Sequence, residues 1–232
     1  MAHTLHSFEN GPALAEALAD KVAAALAHSV TTRGSATLAV SGGSTPKAFF
    51  EALSKKPLDW SNVSVTLVDE RFVPADNPRS NHLLVATHLL KNEAADADFV
   101  PLYQAAADIE AAAAMATDAV SDMGTPFDVV ILGMGADGHT ASFFPGGNNL
   151  EDALDLELPP RVLTMEAAGA GEPRLTLSFS SMADAGLLVV HIEGAEKKAV
   201  LDKALGGTDE AEMPIRAVLA RAETDVEIYW AP

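Results

Sequence analysis

Two hydrophobic periods alternate along the chain. Runs rich in aliphatic and β-branched residues stand at "ATLAVSGG" (36–43), "VSVTLVDE" (63–70), "FDVVILGMG" (127–135), "RLTLSF" (174–179), "GLLVVHIEG" (186–194) and "VEIYW" (226–230). Helix-like stretches separate most of them, at 46–54, 80–91, 105–121 and 195–205. Continuously apolar strands alternating with helices predict a parallel sheet covered on both faces. Upstream, the Ala-rich stretch 13–27 reads as a packed helix, with Asn10 as its cap and Pro12 in its first turn. Pro- and Gly-rich breaks at 145–147 and 169–173 read as loops within one core. The expected fold is a single α/β domain over 1–232, with a mostly parallel, Rossmann-like sheet and helices on both faces.

Composition narrows the partners. The formal net charge of the 232 residues is -18, from 33 acidic against 15 basic side chains. Such a chain repels nucleic acid and anionic lipid unless its few cations are clustered. Any phosphate site must therefore gather those cations locally. There is no cysteine, which removes disulfides and thiolate chemistry. The N-terminus lacks a basic start followed by an apolar stretch, and Glu16, Asp20 and Lys21 interrupt its Ala-rich part. A cytoplasmic protein is expected, with no membrane partner; the sequence leaves its oligomeric state open.

In open parallel sheets ligands sit beyond the carboxyl ends of the strands, and four loops there carry chemistry. In "SGGSTPK", Gly42 and Gly43 let a ligand approach the backbone, while Ser41, Ser44 and Thr45 offer hydroxyls. Thr45 is expected to cap the next helix, with Pro46 at its first position; a tight turn without a ligand is the plainer alternative. The spacing is not that of a Walker loop. "VDERFVP" ends its predicted strand in Asp69, Glu70 and Arg71, either a polar rim or a substrate-facing arginine held by an acidic neighbour. His82 and His88 lie six apart on a predicted helix and share no face for a metal.

"GMGADGH" fits G-x-G-x-x-G through Gly133, Gly135 and Gly138, but Pro145, Gly146 and Gly147 break the chain where a long helix should run. The dinucleotide reading fails. What remains is a glycine-bent loop around Asp137 and His139, suited to moving a proton near neutral pH. A histidine merely bonded to backbone is the alternative.

Taken in order, "LAVSGGSTPKAFFEAL", "LVDERFVPADNPRSNHLL", "VILGMGADGHTASFFPG" and "EGAEKKAVL" resemble the successive signatures of the 6-phosphogluconolactonase family. The resemblance implies hydrolysis of 6-phospho-D-glucono-1,5-lactone in the oxidative pentose phosphate route, with neither metal nor organic cofactor. It implies His139 as general base, oriented by Asp137, with Arg71 or backbone N–H groups on the oxyanion. Ser41, Gly42, Gly43, Ser44, Thr45, Asp69, Arg174 and Lys197 would bind the substrate, and Arg79 is a third arginine to weigh for its phosphate. The related glucosamine-6-phosphate deaminases share a similar "DGH" loop, typically followed by a glutamate where this chain has Phe144. Sugar-phosphate sensor domains are a more distant alternative; the ten residues from Met1 to Asn10 leave no room for a helix-turn-helix.

Overall fold

The computed structural model describes residues 3–232. Its first strand, β1 (His3–Ser7), precedes a long helix, α1 (Gly11–Arg33). Asn10 caps that helix by accepting from the Ala13 N–H, as its side chain and the following Pro12 suggest. Leu14, Leu18, Val22 and Leu26 recur every fourth position and are fully buried. Next come β2 (Ala36–Val40), α2 (Lys47–Leu53), β3 (Val63–Leu67), β4 (Asp69–Arg71), α3 (Asn81–His88), β5 (Asp98–Val100) and α4 (Ile109–Ser121). The second half runs β6 (Val129–Leu132), α5 (Leu150–Leu154), β7 (Val162–Met165), β8 (Arg174–Leu177), β9 (Leu187–Glu193), α6 (Ala195–Leu205), α7 (Ile215–Arg221) and β10 (Val226–Ala231).

Seven strands form a wholly parallel sheet in the order β1-β10-β9-β6-β2-β3-β5. The chain steps from β2 outward through β3 to β5, then returns to lay β6 on the other side of β2. That reversal is the topological switch point where such sheets open a crevice. All four residues of β6 and all five of β2 are buried. One continuous core, including Phe49, Phe50, Trp60 and Phe127, surrounds them.

A second sheet was not foreseen. The run 63–70 is not one strand: β3 stops at Leu67, and β4 joins β8 and β7 in a three-stranded antiparallel sheet. Val68 is the crossing residue. Its N–H donates to the Val40 carbonyl in the parallel sheet, while its carbonyl accepts from Leu177 N–H in the small one. Asp69, Glu70 and Arg71 thus form a short strand across the cleft and are not a ragged strand end.

Candidate active site

The loops after β2 and β6 meet at the switch point and enclose a cavity of about 320 Å³ with β4, β8 and the start of α6. Ser41, Gly42, Gly43, Ser44, Thr45, Asp69, Arg71, His139, Arg174 and Lys197 all line it. Asp137 stands behind His139. Chemistry scattered over 157 positions of sequence, from 41 to 197, is gathered into one cleft.

The "SGGST" loop continues the β2 pairing by one bond, from Ser41 N–H to the Ile131 carbonyl. The backbone then leaves the sheet. A Cβ at Gly42 would overlap the Asn81 carboxamide, so only glycine fits there. Thr45 does not cap α2, contrary to the sequence expectation. The capping position falls on Pro46, whose helical backbone angles (φ -76, ψ -4) leave no extended residue to reach back. The hydroxyls of Ser41, Ser44 and Thr45 consequently bond no protein group among the described residues, and remain available to a ligand. Ser80 does cap α3, with extended angles and a bond from Leu83 N–H.

Beyond β6 the chain folds back on itself. Gly135 N–H donates to the His139 carbonyl (2.8 Å), and the Thr140 hydroxyl donates to the Gly133 carbonyl (2.8 Å). A side chain at Gly135 would strike the imidazole, which explains the glycine more directly than any cofactor does. Ile215 N–H, from α7, holds the Gly138 carbonyl at 2.9 Å. Ala141 has φ 47, a left-handed conformation unusual for a residue with a side chain. Such strain persists only where its surroundings enforce it, and here it turns the chain under the cleft.

The imidazole Nδ1 of His139 lies 2.6 Å from Asp137 Oδ1. With Nδ1–H donating to the carboxylate, Nε2 carries the lone pair. Burial opposes ionisation of Asp137, but the backbone N–H, charge and ring of His139 outweigh it and hold the carboxyl below its ordinary value. Lys197, half-buried in the first turn of α6, makes no ion pair among the described residues. Burial lowers its pKa, against the raising influence of Asp137 and Glu196.

The three arginines divide by position. Arg71 donates to the Arg79 carbonyl and keeps a buried Nε with no partner among the described residues. Arg174 is bonded to the carbonyls of Ala170 and Glu172, and its guanidinium lies 3.8 Å from Asp69. Asp69 also accepts from the Ser142 hydroxyl (2.6 Å), so its carboxylate is engaged by protein groups. Arg79 stands outside the cavity, exposed and paired with Glu172.

Glu70, 0% exposed, does not line the cavity. Its two oxygens accept from the N–H groups of Arg71, Asn81 and His82 and from the Ser80 hydroxyl. Burial raises its pKa against the pull of those four bonds. This carboxylate ties β4 to the start of α3 and so fixes Arg71. Glu70→Gln should turn an amide N–H₂ toward backbone donors, costing about 1–3 kcal/mol of stability. Denaturant unfolding measures it, and an unchanged midpoint would refute the role.

Against known proteins, residues 9–230 match the family model described as "Glucosamine-6-phosphate isomerases/6-phosphogluconolactonase". The chain belongs to this family. A relative from Rhizobium meliloti (strain 1021), named 6-phosphogluconolactonase, is 65% identical over the whole of both chains. A crystal structure of a 6-phosphogluconolactonase from Shewanella baltica OS155 superposes with a TM-score of 0.95 at 43% identity, covering 99% of this chain and 98% of that one. A monomeric glucosamine-6-phosphate deaminase shares the fold, with a TM-score of 0.80 at 19% identity, covering 100% and 97%.

Three residues lining the cavity were not singled out by the sequence as part of a site. Asn81 looked like ordinary helix, and nothing in its spacing links it to Gly42. His191 sits inside an apolar strand, which hid it. It is 2% exposed, its Nε2 is 3.2 Å from Glu193, and its Nδ1 is buried without a partner among the described residues. Phe144 was visible only as a side chain unable to move a proton.

Proposed function

We propose that this chain hydrolyses 6-phospho-D-glucono-1,5-lactone to 6-phospho-D-gluconate, serving the oxidative pentose phosphate route in the cytoplasm from a single domain. The observation that carries the reading is the Asp137–His139 pair, set in the same cleft as the Lys197 ammonium and three hydroxyls that have no partner among the described residues. His139 Nε2 takes a proton from water as its oxygen attacks the lactone carbonyl. Arg71 or loop N–H groups stabilise the oxyanion. Collapse breaks the bond from the carbonyl carbon to the ring oxygen, and His139 returns the proton to that oxygen. Asp137 keeps Nδ1 protonated throughout. Ser41, Ser44, Thr45, the Gly42 and Gly43 backbone and Lys197 hold the phosphate, while Asp69 steadies Arg174 at the edge of the site. These steps use the chain's own groups and call on no metal.

The deaminase reading is disfavoured by Phe144, which can neither accept nor donate a proton beside His139. Two assays decide. Freshly generated lactone should release protons faster with enzyme than by spontaneous opening, and glucosamine 6-phosphate should release no ammonia even with enzyme in large excess. Ammonia at an ordinary enzymatic rate, with no acceleration of lactone opening, reverses the assignment.

A further inference from the structure

Phe144 touches the two groups that flank it in the cleft. Its ring centroid lies 4.5 Å from that of His139, at an interplanar angle of 39°. The Arg174 guanidinium carbon is 5.4 Å from the same centroid. Phe144 is only 4% exposed. Its backbone is fixed on both sides, with Phe144 N–H on the Ser142 carbonyl and Gly147 N–H on its own carbonyl. Ser142 in turn holds Asp69, which faces Arg174.

An aromatic face carries negative potential and attracts a cation within about 6 Å of its centroid. Arg174 is a permanent cation here, with Asp69 and Glu172 as electrostatic counterweights. In the proposed step the His139 ring gains positive charge as it takes the proton from water. An attraction that exists only in that state lowers a barrier, whereas one present throughout does not. We propose that Phe144 is a positioning residue whose π-face sets the plane of the His139 ring and stabilises its transient positive charge, while seating Arg174 against the same ring. The proposal rests on the lactone-hydrolysis reading for its kinetic consequence, but not for the contact itself. Asp137 is bonded to the His139 ring, and the other charged groups lining the same cavity are Lys197 from α6 and Asp69 and Arg71 from β4; against the neighbouring Gly138 stand the uncharged Met213, which precedes α7, and Ile215 at its start.

The test replaces Phe144 by mono-, di- and trifluorinated phenylalanine, which keep the ring's shape while draining its negative face, and by Phe144→Leu. Steady-state kinetics on the lactone are read beside an NMR titration of the His139 ring without substrate. With fluorination, kcat should fall stepwise, reaching roughly tenfold for the trifluorinated ring and for Phe144→Leu, with KM changing less than about twofold. The His139 titration midpoint should move to lower pH in the same order. Flat kcat and a flat midpoint across the fluorinated series would overturn the proposal, leaving the ring a spacer. If Phe144→Leu fails to fold, the fluorinated series still decides. A wild-type enzyme that leaves the lactone untouched, yet whose His139 midpoint follows fluorination, would refute the reaction and uphold the contact.

Discussion

Replacing His139 by Asn should lower kcat for lactone hydrolysis by about 10²–10⁴-fold, the range lost with an acid–base group. Asparagine retains hydrogen-bonding capacity but has no lone pair basic enough to take a proton from water. Folding should survive, since the side chain is 31% exposed and its loop is held by backbone bonds from Gly135 and Ile215. Binding of 6-phosphogluconate should change little, because the phosphate cradle lies on other loops. The check is the initial rate of proton release, corrected for spontaneous opening, alongside circular dichroism. Wild-type turnover in the variant would remove His139 as the base.

Lys197→Ala should raise KM by about ten- to hundredfold while largely sparing kcat, as expected for a charge-assisted contact remote from the reacting bond. The ammonium is desolvated without an ion-pair partner among the described residues, a cost that an incoming phosphate would offset. Unphosphorylated gluconolactone provides the control. It should be a poor substrate for the wild type, and the substitution should barely alter its kinetics. Because Lys197 also feels the charge of Asp137, an equal loss on both lactones would show that it acts through the Asp137–His139 pair and not on phosphate.

Periodicity made the parallel sheet legible because buried strands carry unbroken apolar runs, as in "VVIL" of β6. It could not show β4, since three charged residues look like the end of β3 until β8 is beside them. β1 was missed for the opposite reason: as an exposed edge strand it has no apolar face to announce it. The cleft residues on loops were readable because glycines and polar side chains interrupt the pattern there. His191 and Asn81 lay inside regular elements, where their residue types look incidental. Thr45 misled because threonine before proline suits a cap, and only the backbone angles of Pro46 rule it out.

Ring opening by the proposed reaction converts an uncharged ester into a carboxylate, so the departing molecule carries one more negative charge than the arriving one. The chain as a whole carries a formal charge of -18, while the described residues lining the cleft include three basic side chains, Arg71, Arg174 and Lys197. Within contact distance those cations dominate. Charge effects between solvent-exposed groups fade over a screening length of about 8 Å at physiological ionic strength, and outside the cleft the net charge of the chain opposes an anion. The newly ionised molecule is repelled there more strongly than its precursor. By net charge alone, the chain therefore disfavours recapture of the ionised molecule relative to capture of its precursor.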